Sequence, residues 1–179
     1  MKITVIGSGY VGTTTALVLS DLGHEVIGYD VDTLKVKMLN NGMLPFREPG
    51  LDQLLQEQLK SGRIIFTSDS RFAITQSEIL MISVGTPATL SGNADLTYIQ
   101  QVMDVIAAHI NDHKIVVTKS TVPIGTNRWM KQQLEETIDT NKYHIELISN
   151  PEFLREGSAL HDSYHPSRTV IGGEITSAI

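Results

Sequence analysis

At 179 residues the chain has room for one domain with a sizeable core. A formal charge of −6 argues against a basic nucleic-acid-binding face, and the lack of any cysteine removes disulfides, thiolate metal sites and cysteine nucleophiles together. No apolar run reaches the ~20 residues needed to cross a bilayer. Glycine interrupts the N-terminal apolar run too soon for a signal sequence, so a cytoplasmic protein without membrane or nucleic-acid partners is expected.

Residues 2–6 are continuous and rich in β-branched side chains, as in a strand buried on both faces. A glycine turn follows, then a helix from Val11 to Leu22 that Gly23 stops. A second strand, residues 25–29, ends at Asp30, and Asp32 caps a helix over residues 33–41. Pro45 and Pro49 make residues 42–50 a loop. Leu44, Phe46 and Leu51 around it read as loop packing, with a lid or a subunit contact as the alternatives. Helix returns over residues 51–61, with Leu51, Leu54, Leu55 and Leu59 on one face.

Strands are expected at residues 63–67, 79–84, 114–119 and 144–149, and helices at 96–110 and 124–138. A short helix is expected to start after Pro151, a last strand at Thr169 to Ile171, and a further element to begin within residues 172–179. The chain reads as cut at that point, with a core of about residues 1–150 and a substrate-facing extension over 151–179. Strands alternating with helices imply an α/β fold: a mainly parallel sheet with helices on both faces.

Gly7-Ser8-Gly9-Tyr10-Val11-Gly12 has the pattern G-x-G-x-x-G, directly after a strand and opening a helix. In that setting Gly7 permits the turn, Gly9 lets backbone approach a pyrophosphate, and Gly12 lets helix and strand pack closely. The helix dipole faces the phosphates. Asp30, at the end of the second strand, can accept both adenosine-ribose hydroxyls and would repel a 2′-phosphate, which selects NAD over NADP. Lys35, five residues on, falls near the adenosine, or is a solvated helix lysine. A plain βα turn and an S-adenosylmethionine site are the alternatives for this signature.

Three more segments fall at carboxyl ends of strands, where a doubly wound sheet binds ligands. They are Ser83-Val84-Gly85-Thr86-Pro87, Lys119-Ser120-Thr121-Val122-Pro123-Ile124-Gly125-Thr126 and Asn150-Pro151-Glu152-Phe153-Leu154-Arg155-Glu156-Gly157. Singly each reads as a cap and turn; together at one edge they read as a pocket. With the glycine turn they resemble the N-terminal domain of the UDP-glucose/GDP-mannose dehydrogenase family. So do the loop from Asn40-Asn41-Gly42 to Glu48-Pro49-Gly50-Leu51 and the stretch His165-Pro166-Ser167-Arg168-Thr169-Val170-Ile171-Gly172.

The resemblance covers essentially the whole chain. It implies a Rossmann-type doubly wound domain that binds NAD and serves the oxidation of a nucleotide sugar such as UDP-glucose, at its C6 alcohol, to a carboxylate used in polysaccharide biosynthesis. Gly7, Gly9, Tyr10, Val11, Gly12, Asp30, Lys35, Thr86 and Thr121 would contact NAD, and Glu156 would contact it or bridge it to substrate. Glu152 would act as general base in hydrolysing a thioester, with the Thr121 hydroxyl helping to position the water. Glu152, Phe153, Leu154, Arg155 and Glu156 would border the sugar.

The family's nucleophilic cysteine, its oxyanion-stabilising lysine and asparagine, most of its nucleotide pocket and the middle helix of its homodimer have no counterpart in these segments. The chain is therefore expected to bind NAD without turning over. Thr13 to Thr15 open the first helix at some cost in propensity. His161 and His165 have i, i+4 spacing, but Pro166 disfavours helix there and no third ligand is evident. Trp129 reads as core or packing surface, and no nucleophile elbow marks a Ser-His-Asp site. A non-catalytic NAD-binding or interaction module, and a hydroxy-acid dehydrogenase, are the competing readings; the latter leaves the threonine-proline segments unexplained.

Overall fold

Six short strands line up side by side in the computed structural model, which describes residues 1–173. In chain order the elements are β1 (Lys2–Ile6), α1 (Tyr10–Asp21), β2 (Glu25–Tyr29), α2 (Thr33–Asn40), α3 (Leu51–Ser61), β3 (Ile64–Thr67), α4 (Ser70–Thr75), β4 (Ile79–Ile82), α5 (Thr97–His109), β5 (Lys114–Thr118), α6 (Thr126–Thr137), β6 (Ile145–Ser149) and α7 (Ala159–Tyr164). The sheet order is β3-β2-β1-β4-β5-β6 and every pairing is parallel. The chain thus winds outward twice from β1, which is the doubly wound Rossmann arrangement.

Side-chain alternation along the strands divides the interior in two. Ile3 and Val5 of β1, with Val26, Ile64 and Phe66, pack against Leu17, Val36, Leu39 and Leu55 of α1, α2 and α3. Ile6, with Ile27, Leu80, Ile82 and Val116, packs on the opposite face against α4, α5 and α6 through Ile74, Ile99, Ile106, Met130 and Leu134. Thr4 is buried as well, and its hydroxyl is satisfied by the Ala73 carbonyl at 2.7 Å and Ser77 Oγ at 2.8 Å. Leu44 and Phe46 lie against the first of these cores and Leu51 is fully buried within it, so the proline loop is packed onto its own domain.

Most elements match their sequence expectations to within one or two residues, and Asp32 caps α2 through the Leu34 and Lys35 amides. The structure adds one helix and corrects two expectations. The helix α4 has no counterpart in the sequence reading; at six residues it is too short to show a 3.6-residue stripe, and it rests on the Asp69 cap, which accepts from Phe72 N at 2.9 Å. No helix starts at Pro151. The Glu152 carboxylate takes the Leu154 amide, and the Arg155 amide goes to Asp162 Oδ2 at 3.1 Å, which holds the segment open until α7 begins at Ala159. Residues 169–171 form no strand; one antiparallel bridge joins Ser149 to Gly172. The element expected within residues 172–179 falls largely outside the described residues.

Among the described residues no helix is long and apolar enough to cross a membrane, and no group of three His, Asp or Glu side chains is placed to hold a metal ion.

Candidate dinucleotide site

The winding reverses between β1 and β4, so a crevice opens beyond their carboxyl ends. The glycine turn forms one wall. A Cβ on Gly12 would lie 1.8 Å from the Gly7 carbonyl oxygen, and one on Gly7, at φ +94°, would lie 2.8 Å from the Ser83 carbonyl. The fold itself therefore demands those two glycines. Gly9 is different: its extended backbone (φ −77°, ψ −165°) suits any residue, and an added Cβ would meet nothing within 4 Å. Among the described residues no packing accounts for glycine there. Open space in front of a bare backbone suits a ligand phosphate that approaches closely.

Gly9 is also the N-cap of α1, and no side chain caps that end. The first amides of a helix have no intrahelical acceptor, so this end is suited to an anion. The buried hydroxyls of Ser8 and Ser83, on either side of the turn, have no hydrogen-bond partner among the described residues. Uncapped amides, orphaned hydroxyls and an unfilled approach at Gly9 all fit a bound dinucleotide.

Asp30 ends β2 and is buried. Its Oδ2 accepts from the Ser8 amide and from Lys35 Nζ, both at 2.8 Å, and its Oδ1 from the Asp32 amide at 3.0 Å. The carboxylate is thereby fixed against the glycine turn, with acceptor capacity left on Oδ1. A ribose diol reaching both oxygens would share Oδ2 with Lys35.

Tyr10 brings its backbone to the turn, while its side chain leaves in another direction. The ring packs 5.0 Å from that of Phe46 and the hydroxyl donates to Glu48. Burial and the Glu48 carboxylate push the Tyr10 hydroxyl up to about 12.

The strand-end segments of β4, β5 and β6 lie side by side, as their sequence positions suggest. Thr86 Oγ1 donates to the Thr121 carbonyl at 2.7 Å, and Ser120 Oγ to the Val84 carbonyl at 2.7 Å, which ties the first two loops together. Asn150 N donates to the Thr118 carbonyl at 2.9 Å and joins the third. A cleft of about 930 Å³ runs from this edge along α1; Lys119, Asn150, Glu152, Phe153, Arg155 and Arg168 line it.

Lys119 was not singled out in the sequence, although a lysine closing an apolar strand is a signal for it. Burial draws its pKa down, opposed by the nearby Glu152 carboxylate, and its Nζ sits 3.3 Å from Asn150 Oδ1. Phe153 is exposed and carries the Arg168 guanidinium 4.5 Å above its ring. Leu154 is half-buried and Glu156 exposed.

The Arg155 guanidinium is engaged by Asp162, with Nη2 to Oδ1 at 2.7 Å and Nε to Oδ2 at 3.0 Å. Arg155 thus braces its own segment, and a sugar contact would have to share it. The paired guanidinium, outweighing some desolvation, holds the Asp162 carboxyl down to about 2 from its ordinary 3.8. Because the folded pKa is depressed, the stabilisation is complete above about pH 4 and is lost as pH falls through about 2. A carbon-detected NMR titration of Asp162 should give a midpoint near 2; a midpoint of 3.8 or above would show the pair absent in solution. The His161 and His165 rings lie 5.0 Å apart, with His161 near Asp162.

The whole chain, residues 1–179, matches the model of the UDP-glucose/GDP-mannose dehydrogenase family, NAD binding domain. It is 43% identical over 171 residues to the UDP-glucose 6-dehydrogenase TuaD of Bacillus subtilis, with 96% of this chain and 37% of TuaD covered. A UDP-glucose dehydrogenase from Pyrobaculum islandicum superposes with a TM-score of 0.92 at 38% identity, over 97% of this chain and 40% of that one. A GDP-mannose dehydrogenase from Pseudomonas aeruginosa superposes with a TM-score of 0.91 at 40% identity, over 97% of this chain and 41% of that one. The chain therefore spans about two-fifths of the length of these relatives.

Proposed function

Since the chain belongs to the UDP-glucose/GDP-mannose dehydrogenase family as its NAD-binding domain, we propose that it holds NAD in the β1–β4 crevice for oxidation of a nucleotide sugar at C6, with UDP-glucose the first candidate. When bound, NAD supplies the hydride-accepting nicotinamide. Gly9 and the uncapped amides of α1 hold the pyrophosphate, and Asp30 with Lys35 holds the adenosine ribose. Thr86 and Thr121 flank the nicotinamide half. Glu152 takes a proton from the hydrolytic water, and Phe153 to Glu156 border the sugar.

Residues 1–150 form the dinucleotide core on this reading and 151–179 its substrate-facing extension. A C-terminal half supplies the nucleotide pocket, and the full-length protein is a cytoplasmic homodimer. The observation that carries the reading is Gly9, a glycine that the fold leaves unexplained and a pyrophosphate explains.

Calorimetry on this chain should show saturable one-to-one NAD binding, with NADP weaker by about tenfold or more because a 2′-phosphate would meet Asp30. Absence of NAD binding, or preference for NADP, would overturn the assignment. The chain has no cysteine, so no thiohemiacetal or thioester can form on it. With UDP-glucose and NAD together, NADH should not accumulate until a thiol-bearing C-terminal half is added.

A further inference from the structure

Glu48, in the proline loop between α2 and α3, is only 3% exposed, and the proposed chemistry does not use it. Its surroundings explain its burial. Oε2 accepts from the Tyr10 hydroxyl and, at 2.8 Å, from the Gly157 amide, while Oε1 lies 3.4 Å from the Leu160 amide. The Gly157 amide also reaches the Tyr10 hydroxyl at 3.2 Å. Ser158, the N-cap of α7, makes no capping bond with its own side chain. A carboxylate 112 residues from Leu160 in sequence therefore does the capping. Burial works against ionisation of Glu48, but the Tyr10 hydroxyl and the amides of Gly157, Leu160 and Ala159 outweigh it and hold the carboxyl below its ordinary range.

Both ends of this network abut the site. Tyr10 directly follows Gly9, and Gly157 directly follows Glu156 in the segment that begins at Glu152. The far end of α7 is held separately, by the Tyr164 hydroxyl on Asp21 Oδ2 at 2.6 Å. At the near end Glu48 holds the Gly157 and Leu160 amides, while Asp162 braces Arg155 within the segment.

We propose that Glu48 is a positioning residue, whose buried carboxylate docks the Glu152–Gly157 segment on the dinucleotide turn and so couples occupancy of the turn to the order of the substrate-facing segment. The coupling rests on NAD occupying the crevice. A ligand that binds the docked form better tightens the docking, and weakened docking costs that ligand affinity in equal measure. Glu48 is joined to the turn through the Tyr10 hydroxyl and to the segment through the Gly157 amide.

Glu48→Gln tests it, since it keeps the shape and removes the charge-assisted bonds. Amide hydrogen exchange at Gly157, Ser158, Ala159 and Leu160 in the free protein should accelerate about tenfold, while exchange in β1 and β4 stays unchanged. Calorimetric NAD affinity should fall by about fivefold. In the wild type, NAD should slow exchange at the same four amides. A residue that merely stabilised the fold would move the melting temperature and leave NAD affinity alone. Tyr10→Phe, which keeps the ring on Phe46, should reproduce the exchange change and supplies the test if Glu48→Gln does not fold.

Unchanged exchange at residues 157–160 in both variants would overturn the positioning role. NAD binding that leaves those amides untouched in the wild type would overturn the coupling alone. No NAD heat in the wild type would overturn the dinucleotide reading together with the coupling, and the free-protein exchange would still decide whether Glu48 docks the segment.

Discussion

Gly12→Ala should lose about 3 kcal/mol or more of stability, or fail to fold, whereas Gly9→Ala, three residues earlier, should melt normally and bind NAD at least about tenfold more weakly. The two glycines belong to one motif and differ in what surrounds them. A methyl group on Gly12 would stand 1.8 Å from the Gly7 carbonyl oxygen, and neither partner is a side chain that can turn away. Relief requires α1 to lift from β1, which opens the core formed by Ala16, Leu17 and Ile3. For a domain of this size such a loss lowers Tm by about 6–12 °C.

At Gly9 the backbone is extended and the space around it empty, so alanine fits and even trims the entropy of the unfolded chain. Only a ligand brought against that backbone would meet the new methyl group. Thermal melts and calorimetry on the two variants separate the fold's use of the motif from its binding use. Normal NAD affinity in Gly9→Ala would contradict the assignment of the pyrophosphate.

The second large effect is at Asp30. Asp30→Ala leaves the Ser8 and Asp32 amides without their acceptor and Lys35 without its ion pair. Buried donors stripped of a partner cost about 1–3 kcal/mol, so stability should fall measurably. NAD affinity should fall by about tenfold or more with loss of the ribose acceptor. NADP should suffer less. The repulsion of its 2′-phosphate is gone, and Lys35, now released from a 2.8 Å contact with the carboxylate, is available to that phosphate. The NAD/NADP preference should therefore shrink by about tenfold or reverse. An unaltered preference would place the adenosine ribose elsewhere.

How much of this was legible in the sequence depended on the range of the interactions. Strands β1, β2, β4, β5 and β6 announce themselves as short apolar runs, and the glycine pattern with Asp30 is a signature contained in one βαβ stretch, although the clash that holds Gly7 comes from Ser83, beyond β4. The helix α4 was not legible because it is shorter than two helical turns and held by a single cap at Asp69. Residues 151–157 misled for a related reason. Pro151 suits a first helical turn, but Glu152 and Asp162 take the backbone amides that a helix would need. Glu48 was read only as part of a loop, since its partners Tyr10 and Gly157 lie 38 and 109 residues away and nothing local marks a carboxylate as a distant helix cap. Lys119 likewise gains its setting only when β5 and β6 bring it to Asn150 and Glu152.

The most direct test of the account is an amide NMR titration of the 179-residue chain with NAD. Saturable shifts at Gly9, Tyr10, Val11 and Gly12 and at Ser8 and Asp32, whose amides Asp30 holds, are the predicted result, with Gly9→Ala abolishing them at the same NAD concentration. Saturable shifts confined to other parts of the sheet, or an unaltered titration in Gly9→Ala, would contradict it.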